Sequence, residues 1–338
     1  MQRLDDKTKR IVAIILMFVF FLGGSRLSKY VIEKREAAAE DEYPMSRDVY
    51  LLDTYCQLTV YEGGGKEALE AAVDALNRYD DIMNYSKEGS DIYNINHRNS
   101  DTVSIDPDTA EMLRMSRELC VETEGVLEPA IRPVTELWDF KEEKKVPEAS
   151  KIEEALTRIK SLKWYIEGDT FTAEDPDVLI DVGAVAKGFI ADKVKTVMKE
   201  NGVSSGIINL GGNVLCIGER PDNTAFTVAV KDPQNESGYS NVLELNDLSA
   251  VTAGAYERCF EENGVRYHHI IDPKTGYSAQ TGLESVTVVG PVSAICDGLS
   301  TSLFIMGEDK GKEFIEQYNA EHKTDYAAYF LKEEAEQN

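Results

Sequence analysis

In the segment CDGLSTSLFIMG (296–307), Asp297 and Thr301 stand four residues apart, so on a helix both project from one face, one turn from each other. A carboxylate and a hydroxyl in that relation are hard oxygen donors. Mg²⁺ takes few such ligands from a protein and keeps its other octahedral positions for water and substrate phosphates. The plainer alternative is an N-cap Asp beside a Thr whose hydroxyl is satisfied within its own helix. A second stretch, DVGAVAKGFIAD (181–192), carries Asp181 into a Gly-bracketed turn and sets Lys187 in the first turn of a helix. The preceding VLI reads as a strand. Small residues at such a junction either let backbone groups approach a ligand closely or simply make a tight turn. It is not a Walker A loop, because the G-K-[ST] order is missing, and G-x-G-x-x-G is absent too.

Two further stretches complete the candidate chemistry. IINLGGNV (207–214) is a strand meeting two glycines, which reads alone as a bulge or turn. In VTAGAYERCFEENGVRYHHIIDPKTGYSA (251–279), a turn at Gly254 and a hairpin at Asn263-Gly264 lead to His268 and His269, two of the chain's four histidines. In a strand these face opposite ways, His269 sharing a side with Tyr267 and Ile271. One can then be catalytic and the other structural; the plainer alternative is that neither is catalytic, against which the H-H-x-x-D-P-x-T-G string points to a site.

The elements that must position these residues follow from pattern. YLLDTYCQLTVY (50–61) alternates and predicts one strand, ended by Gly63-Gly64-Gly65. Residues 66–83 align Leu69, Ala72, Val73, Leu76 and Met83 on one helical face. Asp106-Pro107 starts a helix that stops before Gly125. Ser150 with Glu153 suggests a capping box for a helix to about Ile159. A helix over 186–200 turns Phe189, Ile190, Val194 and Val197 inward and closes at Asn201-Gly202. Strands are expected over 206–217, 225–231, 242–246, 265–271 and 284–290, then helices near 293–306 and 308–319 and a strand near 325–331. Strands and helices alternate without a βαβ rhythm, so the class is α+β, with mixed or antiparallel sheets and packed helices. KEEKKVPEAS (141–150) reads as a polar surface loop or hinge.

With 338 residues, 42% of them hydrophobic, the chain can build a large core and is not disordered. A net charge of −25 argues against nucleic acid as a partner and means that an anionic substrate needs a local cation. The five cysteines lack any C-x-x-C pair, and most of them read as small core residues. IVAIILMFVFFL (11–22) follows Arg3, Lys7, Lys9 and Arg10, the flank of a signal peptide or an uncleaved anchor. Its helix rise of ~18 Å is short of the ~30 Å hydrocarbon core. The expected organisation is a signal peptide or membrane anchor over 1–32, a charged tether over 33–44, a folded domain over 45–332 and a tail over 333–338. The domain is expected outside the cytoplasm, membrane-anchored or secreted.

Taken in order, the four stretches resemble the ApbE-type FAD:protein FMN transferase family. Its motifs D-x-G-x-x-A-K-G, N-x-G-G, S-G-x-Y…H-x-[IL]-D-P-x-T-G and D-x-L-S-T-x-x-x-x-x-G appear here as DVGAVAKG, NLGGN, AGAY…HIIDPKTG and DGLSTSLFIMG. EGVLEPAIRPVTELWDF (124–140) is similar to a further family segment, and the likeness spans roughly 45–330. The resemblance implies a T-fold-related domain and Mg²⁺ held by the Ala184 carbonyl, Asp297 and Thr301. It implies FAD contacts at Asp181, Lys187, Val126, Leu127, Glu128 and Ile271, and His269 as base. The implied reaction moves FMN from FAD to a Ser/Thr hydroxyl of an acceptor protein and releases AMP. FAD hydrolysis by water, or flavin binding without turnover, are the alternatives. The chain departs from the pattern at Glu128, where Asp is common, at Ala253, where Ser is frequent, and at Leu52-Asp53-Thr54, where Met-Gly-Thr is usual.

Overall fold

Residues 43–235 and 238–333 are described in a computed structural model of the chain. The first two strands, β1 (Met45–Leu51) and β2 (Thr54–Glu62), show the first departure from the sequence pattern. The single strand expected over 50–61 is broken because Leu52 and Asp53 both take positive φ, 55° and 58°, which makes a two-residue hairpin turn without a glycine. Helix α1 (Gly65–Met83) buries Leu69, Ala72, Leu76 and Met83 as its periodicity predicts, with Val73 half-buried. It is followed by α2 (Asp91–Asn96), β3 (Thr102–Ser104) and α3 (Pro107–Glu122), the last capped by Asp106 with Pro107 at its first position. A 3₁₀ turn (Pro129–Ile131) and α4 (Arg132–Thr135) lead to α5 (Ala149–Thr157). The Ser150–Glu153 capping box does not form, since Glu148 holds the N-cap position with no side-chain cap bond. Strands β4 (Tyr165–Glu167) and β5 (Thr170–Thr172) join β3 in a small sheet.

Helix α6 (Ala186–Glu200) closes at Asn201-Gly202 as expected, the Val203 N–H reaching back to Met198 O; Met198 rather than Val197 fills the buried position. The run 206–217 is two strands, β6 (Ser205–Leu210) and β7 (Asn213–Ile217), because Gly211 and Gly212 at φ 61° and 90° turn the chain back. Strands β8 (Phe226–Lys231) and β9 (Tyr239–Leu245) form a separate hairpin. β10 (Ser249–Gly254) carries no strand signal in the pattern, whereas β11 (Cys259–Glu262) pairs with β12 (Val265–His268) across the expected Asn263-Gly264 hairpin turn, at φ 54° and 76°. Then come β13 (Leu283–Gly290), α7 (Ser293–Met306), α8 (Glu308–His322) and β14 (Ala327–Lys332).

The main sheet runs β1-β2-β6-β7-β10-β13-β14, and its pairs from β2 onward are antiparallel, as an α+β class requires. Alternation assigns its faces. Ser249 bonds to α7 through Ser293, whereas its neighbour Ala250 packs with Cys216 and Val289 against Phe226, Val230, Leu243 and Leu245 of the β8–β9 hairpin. One face therefore carries α6 and α7 and the other carries the hairpin. The polar 141–150 stretch does not divide Ser46–Asn338, which forms one compact unit. The expected anchor, most of the tether and most of the tail lie outside the described residues. Among the described residues no helix is long and apolar enough to cross a membrane.

Candidate functional site

The Asp181 turn is held without a strand. VLI before it belongs to no strand and pairs in no sheet, a correction to the sequence expectation. Side chains replace the missing ladder. The Asn96 amide donates to Ile180 O (2.9 Å) and accepts from Ile180 N (2.6 Å), and the Arg98 guanidinium donates to Val178 O. Asp181 itself takes one hydrogen bond from Thr135 Oγ1 (2.8 Å) and one from Gly183 N (2.9 Å), which bends the chain into the start of α6.

Helices α6 and α7 then meet at close range. A Cβ on Gly188 would lie 2.3 Å from Ser293 O, so only glycine permits this approach. Across the contact the helices exchange carboxylates. Asp192 of α6 accepts from Ser293 N and Ala294 N (3.0 and 2.9 Å), capping an α7 whose N-cap residue, Val292, offers nothing. Asp297 of α7 accepts from Gly188 N (2.9 Å) and from Lys187 Nζ (3.4 Å). In a regular helix the Gly188 N–H closes on Ala184 O. Here Asp297 takes it, and among the described hydrogen bonds none falls on Ala184 O.

Asp297 is only 3% exposed, and burial pushes its pKa up against the pull of Lys187 and the Gly188 N–H. Burial likewise raises Asp192 to about 6. Ser300 and Ser302 return their hydroxyls to Asp297 O and Gly298 O, while no described hydrogen bond involves the Thr301 hydroxyl between them. The self-satisfied Thr is thus not what the helix contains. The available donors are a carboxylate, a peptide carbonyl and a hydroxyl, a set that fits a small hard cation. Among the described residues no three His, Cys, Asp or Glu side chains cluster as a metal set.

The NLGGN turn braces this end of the sheet. Gly211 packs on Thr54, where a Cβ would meet Oγ1 at 2.1 Å. Asn213 Oδ1 accepts from Ser293 Oγ (2.9 Å), which in turn accepts from Ser249 Oγ (2.9 Å). The two histidines separate cleanly. β12 ends at His268, whose ring is buried, edge-on to Phe304, with Nε2 on Ala279 O (3.0 Å) and Nδ1 facing Ile270 N (3.3 Å). His269, beyond the strand, is partly accessible and its buried Nδ1 has no partner; its backbone N–H is held by Arg258 O. Burial, then Arg258, His268 and Lys187, pushes its pKa down to about 3. Burial takes His268 to about 4. Both rings are neutral.

The remaining expected contacts are spread more widely. Leu127 is buried and lies beside Gly298 of α7, and Val126 is half-buried. Glu128 is buried with its carboxylate committed to Ala130 N (2.8 Å) and Ser161 Oγ. Ile271 packs with Trp138, Val134 and Ile152 in an aromatic-rich cluster. Asp53, at the departure from Met-Gly-Thr, is ion-paired with Lys141 and Arg258. Four of the five cysteines are buried, Cys259 is half-buried, and all are free. Pattern reading missed Asn96, Thr135, Asp192 and Ser293. Only Asp192 left a trace, since a helix starting at Val292-Ser293 without a local cap implies a remote one.

The chain is 33% identical over 265 residues to the FAD:protein FMN transferase of Haemophilus influenzae, covering 75% of each. It is 28% identical over 295 residues to that of Treponema pallidum, covering 81% of this chain and 82% of the relative. The crystal structure of the ApbE protein from Thermotoga maritima superposes with a TM-score of 0.76 at 26% identity, over 85% of this chain and 97% of that one. The ApbE family itself matches residues 52–330, from the β1–β2 turn through α6 and α7 into β14, and the chain belongs to that family of enzymes.

Proposed function

We propose that this protein transfers FMN from FAD to a Ser or Thr hydroxyl of an acceptor protein outside the cytoplasm, with Mg²⁺ and with release of AMP. One observation carries the reading: the buried Asp297 carboxylate takes the Gly188 N–H and leaves Ala184 O without it, beside a Thr301 hydroxyl that makes no described bond. Ala184 O, Asp297 and Thr301 would hold Mg²⁺. When bound, Mg²⁺ supplies Lewis-acid neutralisation of pyrophosphate oxygens.

This chain's own groups do the rest. Lys187, one turn from Ala184, offers a positive charge to the pyrophosphate in a protein whose net charge of −25 otherwise repels FAD. The acceptor oxygen bonds to the FMN phosphorus, the bond from that phosphorus to the bridging oxygen breaks, and AMP departs with that oxygen. The hydroxyl proton passes to His269, which is neutral and so able to accept it. Burial makes His269 a weak base in the free protein, and the positive charges of Arg258 and Lys187 weaken it further. An anionic FAD pyrophosphate offsets those charges, so base strength rises when the substrate is in place. The apolar run at 11–22 supports a location at the outer membrane face.

The test is co-expression of the full chain with extracytoplasmic redox proteins, followed by gel fluorescence and intact mass. A covalent FMN on a Ser or Thr, absent without this chain, is expected. Release of FMN and AMP with no labelled protein overturns transfer in favour of hydrolysis.

A further inference from the structure

One of the four sequence motifs, NLGGN, and the AGAY half of another have no part in the metal and FAD assignments, and the fold brings them to one cleft. Asn209, Gly212, Thr252, Tyr256 and Glu257 line it from the main sheet and the chain that follows β10, opposite Val228–Lys231 of the β8–β9 hairpin. Its volume is about 170 Å³, below the ~300–1,000 Å³ of pockets that enclose a cofactor-sized ligand. None of the residues expected to touch FAD lines it.

Three features indicate what it takes. First, β8 pairs only with β9, so its other edge is open, and four consecutive β8 residues border the cleft. An open edge carries unpaired N–H and C=O groups in the spacing that an extended peptide matches. Second, among the described residues Lys231 Nζ, the Tyr256 hydroxyl and the Glu257 carboxylate make no hydrogen bond or ion pair, although Lys231 lies over the Tyr256 ring. A cation, a hydroxyl and an anion thus converge unpaired on one cleft. Third, its mouth lies at the active end of the sheet. Gly212 borders Glu257 there, and Asn213, the next residue, holds Ser293 where α6 meets α7. Burial raises the Glu257 pKa, against the pull of Lys187, Arg258 and Lys231.

Resting on the transfer reading, we infer that this cleft receives the acceptor: an extended segment adds to the β8 edge and delivers its Ser or Thr hydroxyl past Glu257 to the FAD phosphorus. FAD and acceptor then approach from opposite faces of one sheet end.

The test uses the full chain, FAD, Mg²⁺ and the purified acceptor that gains flavin in co-expression. Ala229→Trp narrows the cleft from the exposed β8 edge, and Lys231→Glu reverses its charge without adding bulk. In both variants kcat/KM for the acceptor should fall about 10-fold or more. The FAD dissociation constant from flavin fluorescence should stay within twofold, which also reports an intact fold. Unchanged acceptor kcat/KM in both variants overturns the cleft assignment while leaving transfer standing. A parallel loss of FAD affinity overturns it as well, by making the cleft part of the FAD site. Failure of any protein to gain flavin from wild type overturns transfer itself, and the cleft assignment with it.

Discussion

Asp192 and Asp297 are both poorly accessible carboxylates, on helices that face each other, and each reaches across to the other's first turn. Asp192 is closed: two α7 backbone N–H groups hold its two oxygens, and it serves the helix start. Asp297 is open: a single backbone N–H and a displaceable lysine ammonium hold it. The same contrast separates His268, with both ring nitrogens engaged, from His269, with Nδ1 unpartnered. Burial alone does not mark a functional group. What marks it is buried capacity that the fold leaves unused.

Asp297→Ala gives the sharpest test. FAD-to-acceptor transfer should fall by ~10³-fold or more, since cation stabilisation of the reacting phosphate is worth several kcal/mol. Because the Gly188 N–H can then close on Ala184 O, the protein should stay folded and lose only the thermal stabilisation that Mg²⁺ confers. Asp192→Ala should do the reverse. It strands two buried N–H groups at the α7 terminus and should lower stability by about 2–4 kcal/mol in urea unfolding. If Asp297→Ala is the more destabilising of the two, the contrast fails. Gly188→Ala forces α6 from α7 at the 2.3 Å contact with Ser293 O and should cost about 1–3 kcal/mol, with transfer reduced further than stability.

The histidines predict a pH response. Their folded pKa values, about 4 and about 3, lie below the unfolded value near 6.5, so the unfolded chain binds the extra protons. Stability should therefore decline as pH falls from about 6.5 toward 3. His269→Gln should move the acid-unfolding midpoint to lower pH and slow transfer while FAD still binds; unchanged turnover removes His269 from the chemistry. The smallest structural effect belongs to Thr301→Val, within about 0.5 kcal/mol because no described hydrogen bond is lost. Its Mg²⁺ requirement should nonetheless rise, as an activity titration would show.

Much of this was legible in the chain. The α6 span and its Asn-Gly stop, the Asp106-Pro107 start and the Gly211-Gly212 reversal follow from local rules, because caps and turns are decided within a few residues. The pairing of Asp297 with Thr301 on one helix face needs only the 3.6-residue period. Other features resisted reading because their partners are remote. The VLI segment has strand composition but no neighbour to pair with, and Asn96 and Arg98 hold it instead. Leu52-Asp53 turns without a glycine, and Ser150 sits one residue inside a helix that its capping pattern would have it begin.

The order of residues by itself determined the α+β class, the helices that carry Lys187 and Asp297, and the oxygen-donor types available, since each depends on short-range periodicity and side-chain chemistry. Tertiary structure alone decided that Asp192 is closed and Asp297 open, that His268 is filled and His269 is not, and that the free β8 edge meets the NLGGN turn. Those outcomes depend on which distant backbone groups reach each side chain first, and that is set only when α6, α7 and the sheet pack together.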